Sequence, residues 1–271
     1  MPQHNPAPVV DLSVVIPAHN EATRILPYLR SIIEYLSSRR RSYEIIVVDD
    51  GSLDETASVV REFARHLSSV SLLRLSTCVG KGGAVRHGML AATGRLQLFT
   101  DADGATAITE LDRLEQAIRA GADVAIGSRS LASQRREFTV NARWHRTVLG
   151  GCFNAIVRMG GIRDISDTQC GFKLFEKTVA CDLLSVSTIN GYGFDLELLY
   201  VAQQRGYRVT EIPVNWSDQP GSKVRVLRDG LAMLRELAVI RRNWTKGYYS
   251  SPSQARNFHP VTASQLGHPP Q

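Results

Sequence analysis

The sequence predicts an α/β domain in which a doubly wound, mostly parallel sheet carries helices on both faces. Short apolar runs recur through the first half, at LSVVIP (12–17), EIIVVDD (44–50), LQLFTDAD (96–103) and DVAIGSR (123–129). Nearly continuous apolar runs suit strands covered on both sides, as in a parallel sheet, better than the strict alternation of a half-solvated one. The segments between them have helical periodicity. After Asp54, for example, Ala57, Val60, Ala64 and Leu67 share one helix face. Alternating strands and helices with right-handed crossovers give βαβα.

The remaining elements are read in chain order. Ser52 with Glu55, and Thr109 with Asp112, have capping-box spacing and predict two helix starts. The segment Val79–Ala84 (VGKGGA) reads either as a turn opening a helix or as a place where Gly80, Gly82 and Gly83 let backbone approach a ligand, with Lys81 beside them. It has no GxxxxGK[ST] spacing, and GxGxxG is also absent, which argues against a P-loop NTPase and a dinucleotide site. Beyond Arg129 the pattern is irregular. It resumes with GFKLF (171–175), a helix around FDLELLYVAQQRG (194–206), a short strand VTEIPV (209–214) and a final helix near 224–244. No internal repeat is visible. A single domain over 11–246, its C-terminal part closing over the sheet, is expected between flexible tails at 1–10 and 247–271, which are rich in Pro, Ser, Gln and His.

Composition narrows the function classes. With 271 residues, 43% apolar and 21% charged, the chain is too ordinary to be fibrous or disordered. Its net charge of +6 is concentrated: seven arginines and one acid, Glu137, fall between Arg129 and Arg163. A local basic patch suits a phosphorylated partner or an anionic membrane surface, although a solvated helix face has the same composition. No helix-turn-helix, RNP-like or zinc-finger pattern accompanies it, so nucleic acid is not expected as a partner. No run approaches the roughly 18–20 apolar residues of a bilayer span, and MPQHNPAPVVD is not an export signal. A cytoplasmic location is therefore expected. Cys78, Cys152, Cys170 and Cys181 have no CxxC spacing and are read as packing thiols; the seven histidines form no HxxxH or HExxH pair.

Open parallel sheets bind ligands at the carboxyl ends of their strands. Here those ends are polar. The first run leads into Pro17, Ala18, His19, Asn20 and Glu21; the second into Asp49, Asp50, Gly51 and Ser52; the third into Asp101, Ala102, Asp103 and Gly104; the fourth into Gly127, Ser128 and Arg129. Two carboxylates one residue apart at the end of a buried strand need a compensating cation or donors. Asp101 and Asp103 thus point to a metal, and all-oxygen ligation suits Mg²⁺ or Mn²⁺ on a diphosphate.

PAHNE, VVDDGSLDET, GKGGAVRHG, DADGAT and GSR, in this order, resemble the nucleotide-sugar domain of inverting family 2 glycosyltransferases of GT-A fold. The later run RD (163–164) and DTQCGFKLF (167–175), followed by FDLELLY, EIPVNW and GSKV, is similar to dolichyl-phosphate β-glucosyltransferases and bacterial polyprenyl-phosphate relatives. The resemblance covers 11–246, with a nucleotide-sugar half at 11–129 and an acceptor half at 130–246. It implies that Pro17, Ala18, Asn20 and Glu21 line the nucleoside pocket and that Asp50 reads the uracil edge. Gly80 and Lys81 would lie against the nucleotide, Asp101 would contact ribose or metal, and Asp103 would bind the metal holding the UDP diphosphate. Related mannosyl enzymes carry a further polar ligand two residues on, where this chain has Ala105. Arg129 and Arg143 match arginines that grip an acceptor phosphate, a role suited to a guanidinium fork. Lys223 would close on the diphosphate.

The implied reaction moves a hexose, glucose first, from a UDP-sugar to polyprenyl or dolichyl phosphate with inversion. An anionic phosphate needs no strong base, whereas a soluble or hydroxyl acceptor would need one, with Asp167 preferred over Asp195 and Glu197. An inactive nucleotide-sugar-binding module is the reading from another class; the intact DxD and both arginines argue against it. The chain shows no N-terminal anchor, so lipid is expected to be met at the surface. Leu227, Leu231, Leu234 and Ala238, with arginines and Lys246 nearby, form a stripe suited to an interfacial helix or to packing on the sheet.

Overall fold

A computed structural model of the chain describes residues 10–141, 157, 161–219 and 226–250. Nine strands alternate with eight α-helices among the described residues. They are β1 (Leu12–Ala18), α1 (Ile25–Ser37), β2 (Tyr43–Asp49), α2 (Thr56–Ala64), β3 (Val70–Arg74), α3 (Lys81–Ala91), β4 (Leu96–Thr100), α4 (Leu111–Arg119), β5 (Val124–Ser128) and α5 (Arg129–Ser133). Then come β6 (Val140–Asn141), β7 (Phe172–Glu176), α6 (Lys177–Val186), α7 (Phe194–Gln204), β8 (Val209–Pro213), β9 (Trp216–Ser217) and α8 (Val226–Thr245).

Seven strands make one sheet in the order β3-β2-β1-β4-β7-β5-β8, and β6 pairs with β9 alone. All neighbours in the large sheet run parallel except β7, which is antiparallel to both β4 and β5. Alternate residues feed two cores. Val14 and Ile16 of β1 pack with Leu29, Ile32 and Leu114 from α1 and α4, while Val15 packs with Val85, Met89 and Leu198 from α3 and α7. Covering on both faces is why β1 and β2 read as unbroken apolar runs.

Several expectations change. Neither predicted capping box forms: Ser52 accepts from the Asn20 main-chain N–H at 2.9 Å, and α2 begins at Thr56, whose N–H Asp54 accepts at 2.9 Å. Thr109 lies in a 3₁₀ turn before α4, with no side-chain cap. The competing side-chain bonds to the β1 end pull Ser52 out of the helix geometry. Strands β3, β6 and β9 and helix α6 were not foreseen.

The C-terminal boundary also moves. Tyr249, expected in the tail, is buried against Trp244, with ring centroids 6.4 Å apart, and donates to Glu197 at 2.7 Å. Helix α8 packs through Met233, Leu237 and Ile240, leaving Leu231 60% exposed and Ala238 exposed. The face that packs is therefore not the expected stripe; the side chain of Leu227 lies outside the described residues. Among the described residues no helix is long and apolar enough to cross a membrane.

Candidate active site

The carboxyl ends of β1, β2 and β4 open on one edge of the sheet. Because β7 runs the other way, its amino end reaches the same edge: Thr100 pairs with Phe172, and the Asp101 N–H donates to the Gly171 carbonyl at 3.1 Å. The antiparallel strand thus brings the DTQCG turn (167–171) beside DAD (101–103), about seventy positions earlier in the chain. A cavity of about 280 Å³ opens there, lined by Pro17, Ala18, His19, Glu21, Arg24, Asp50, Cys78, Gly80, Lys81, Ala84, Asp101, Ala102, Asp103, Gly191 and Tyr192.

Asp101 and Asp103 flank the turn after β4. Asp101 pairs with Lys81 at 2.6 Å, and Asp103 accepts the Ala105 N–H at 3.1 Å. Burial, then the charge of Asp101, raises the Asp103 carboxyl above its ordinary range, against the Ala105 N–H and the cations Arg24 and Lys81. Burial opposes the Lys81 charge, yet Asp101 and Asp195 outweigh it and its pKa rises. Gly171 is the reason Asp101 fits, since a Cβ there would stand 2.0 Å from its Oδ2. Two crowded carboxylates offering only oxygen, one of them already drawing a lysine, make a donor set that fits a hard divalent cation.

Asp50 accepts the N–H groups of Val79 (2.7 Å) and Gly80 (2.9 Å), and Glu21 is bidentate with Arg24, at 2.6 and 2.7 Å. Asp50 therefore faces the cavity while tying β2 to the turn before α3. Asn20, at φ 53°, accepts the Leu53 N–H at 2.8 Å and is absent from the cavity lining, so its part is to cross-link the β1 and β2 ends. His19, Asp50 and Cys78 each have a ligand-type atom within 4.8 Å of the others. Their own bonds account for that spacing: the Cys78 thiol donates to Asp50 at 3.4 Å, and the His19 ring meets the Asp50 carbonyl at 2.8 Å. Cys78 is exposed at the cavity rather than a packing residue; Cys170 is buried, and Cys152 lies outside the described residues.

The glycines of GKGG serve a different neighbour from the one expected. Gly80, at φ 99°, would place a Cβ 2.6 Å from the Asn190 carbonyl, and Gly82 would place one 2.5 Å from Phe194. The Asn190 carbonyl accepts the Gly82 N–H at 2.8 Å. The close approach is thus made by the chain's own 187–193 segment. Gly80 lines the cavity; Gly82 and Gly83 do not. Lys81 opens α3, so the turn-and-helix reading holds.

Arg129 and Asp167 form a second polar cluster beyond the cavity lining. Arg129 donates from Nε and Nη2 to Asp167 at 2.7 Å each, and from its main-chain N–H at 2.9 Å. Its guanidinium lies 5.4 Å from the Trp216 ring centroid. Burial would raise the Asp167 carboxyl, but Arg129 outweighs it and holds the pKa below its ordinary 3.8. A carboxylate so paired is a poor proton acceptor, which corrects its expected role as base. Asp195 is buried against Lys173, its carboxyl raised above the ordinary range by burial against the pull of Lys173 and Lys81, and Glu197 is spent on the N–H groups of Thr188 and Ile189, at 2.9 Å each; neither lines the cavity. Arg143 and Lys223 lie outside the described residues. Arg24, Cys78, Gly191 and Tyr192 were missed; the NGYG pattern (190–193) and the three-residue step from Glu21 to Arg24 were the available signals.

The family model described as glycosyl transferase family 2 matches residues 13–182. A dolichyl-phosphate beta-glucosyltransferase of Drosophila melanogaster is 38% identical over 252 residues, covering 88% of this chain and 77% of the relative. Those of Saccharomyces cerevisiae and Homo sapiens are 33% and 35% identical, covering 91% and 89% of this chain and 79% and 78% of theirs. Among solved structures, mannosyl-3-phosphoglycerate synthase from Rubrobacter xylanophilus has a TM-score of 0.64 at 19% identity, covering 88% of this chain and 76% of that one. Glucosyl-3-phosphoglycerate synthase from Mycobacterium tuberculosis, solved with Mn²⁺, uridine-diphosphate and phosphoglyceric acid, has a TM-score of 0.58 at 20% identity, covering 86% and 77%. The fold is GT-A-like, and the chain belongs to glycosyl transferase family 2.

Proposed function

We propose that the chain transfers glucose from UDP-glucose to polyprenyl or dolichyl phosphate, inverting the anomeric carbon, with Mg²⁺ or Mn²⁺ held by Asp101 and Asp103. The relatives' names support the acceptor class and the sugar. The observation that carries the acceptor is the state of the carboxylates: Asp167 is paired with Arg129, Asp195 with Lys173 and Glu197 with main-chain N–H groups, and none of the three lines the cavity. A hydroxyl acceptor would need one of them as base. A phosphate monoester, with its second pKa at about 6, is already anionic at neutral pH and needs none.

Bound at Asp101 and Asp103, the divalent cation would neutralise charge developing on the departing diphosphate. Lys81, paired with Asp101, would turn toward the nucleotide phosphates, and Asp50 and Pro17 would border the base. Arg129 commits one edge of its guanidinium to Asp167; the end of the fork remains to receive a phosphate oxyanion and hold it in line with the anomeric carbon. Arg143 and Lys223 would complete the anion-binding set. The outward face of α8, with Leu231, Arg235, Arg241, Arg242 and Lys246 all exposed, suits peripheral contact with anionic lipid at the cytoplasmic membrane face.

The test is incubation with radiolabelled UDP- and GDP-sugars, polyprenyl phosphate and Mg²⁺ or Mn²⁺, counting label in the organic phase. Label from UDP-glucose alone is expected. Water-soluble product only would refute the lipid acceptor, and no salt-sensitive flotation with anionic vesicles would refute the membrane contact.

A further inference from the structure

The donor-side cavity is closed on one flank by the 187–193 segment, through Gly191 and Tyr192. This segment has no regular structure, and its hold on the rest of the protein comes from two directions. On the sheet side, Gly82 and Gly83 donate to the Asn190 carbonyl at 2.8 and 3.3 Å, and Arg86 donates to the Asn190 side chain at 2.6 Å. On the other side it depends on two carboxylates. Fully buried Glu197 accepts the N–H groups of Thr188 and Ile189 and the Thr188 hydroxyl, all at 2.8–2.9 Å. Glu236, one turn before the end of the buried face of α8, accepts the Gly193 N–H at 2.9 Å.

Both carboxylates answer to the C-terminal helix. Glu236 belongs to it. Glu197 receives the Tyr249 hydroxyl at 2.7 Å, just past the helix end, and Asn243 of α8 donates to that hydroxyl at 3.4 Å. Gly191 and Gly193 have to be glycines for the same reason: a Cβ would stand 2.6 and 2.3 Å from the Glu236 carboxylate. The sequence has thus removed two side chains to let a helix carboxylate reach the main chain beside Tyr192. Glu236 is half-buried and spends its carboxylate on the Gly193 main chain, which contributes little packing, so its purpose is geometric.

We infer that Glu236 and Tyr249 are positioning residues for the donor: through Gly193 and Glu197 they hold Gly191 and Tyr192 against the nucleotide cavity, so that α8 sets donor affinity without touching the donor. The inference rests on the cavity being the nucleotide site. Removing either anchor lets the segment relax away, which costs binding of donor in ground state and transition state alike; KM then rises while kcat holds.

The test uses the full chain with Mn²⁺, UDP binding by calorimetry and steady-state kinetics. Glu236→Ala and Tyr249→Phe are expected to weaken UDP binding about tenfold each, equivalent to about 1.4 kcal/mol, with the loss carried by KM for the UDP-sugar. Glu236→Gln keeps an acceptor oxygen for Gly193 and is expected to restore most of the affinity. Amide exchange across 187–193 should quicken in the alanine variant and not in the glutamine one. Thermal melts identify a variant that fails to fold; Glu236, on a partly exposed helix face, carries the test if Tyr249→Phe does not. Wild-type UDP affinity in folded Glu236→Ala would overturn the inference, as would a fall in kcat at constant KM. Failure of the wild-type chain to bind UDP would instead overturn the reading of the cavity.

Discussion

Replacing Asp167 by Asn keeps the shape of the side chain and removes the charge that Arg129 grips with two side-chain N–H groups and its main-chain N–H. Breaking a buried ion pair by removing one partner costs about 3–5 kcal/mol. Here Asp167 is 7% exposed but Arg129 is 31% exposed, so water recovers part of the loss and about 2–3 kcal/mol is expected. In a domain of this size that corresponds to a fall in Tm of about 5–10 °C. The pH dependence has a definite sign. Because the folded Asp167 carboxyl lies below 3.8, the pair's contribution is complete above that value and is lost as pH falls through the lowered folded pKa. The gap between wild type and Asp167→Asn should therefore persist from pH 7 to pH 5 and narrow only below 3.8. Kinetically, a misoriented Arg129 should raise KM for polyprenyl phosphate while UDP affinity is unchanged, since neither residue lines the cavity. Thermal denaturation across pH and kinetics with each substrate varied check both halves. A variant of unaltered stability whose kcat falls by a factor of about 10²–10⁴ would refute this reasoning and restore Asp167 as a general base.

Asp103→Ala should abolish metal-dependent turnover while leaving the melting profile intact, because among the described residues the side chain's one hydrogen bond is to Ala105 within its own turn; wild-type rates would refute the metal assignment. Gly171→Ala should drive the Asp101 carboxylate out of place, since the new Cβ would stand 2.0 Å from Oδ2. Mn²⁺ affinity measured by electron paramagnetic resonance should drop at least about tenfold, or about 1.4 kcal/mol. Unchanged affinity would show that Asp101 does not hold the ion.

Much of the framework was legible in one dimension. Apolar runs bounded by polar strand ends locate β1, β2, β4 and β5, and an open parallel sheet gathers those ends on one edge by its topology alone, which is why Asp50, Asp101 and Asp103 were found. Short or mixed elements were not: β3 is only the five residues VSLLR, and in α6 the helical spacing of Val179, Ala180, Leu183 and Leu184 spans barely two turns and is interrupted by Thr, Cys, Asp and Ser. The Ser52 capping box failed because the Ser52 hydroxyl is spent on the Asn20 N–H at the β1 end, and Asp54 instead accepts the Thr56 N–H where α2 begins.

The sequence by itself determined that carboxylates, a lysine and an arginine, Arg129, would stand at or beside strand ends, because local polarity decides what a strand end can present to solvent or ligand. Which of them remain available was decided only by tertiary structure. The reversed strand β7 sets Gly171 under Asp101 and Asp167 against Arg129, and whether a charged group is free or neutralised depends on a neighbour scores of residues away. The glycines of GKGG make the same point. Composition marks a place of close approach, and only the packed chain shows that what approaches is its own Asn190 segment, held from behind by the C-terminal helix.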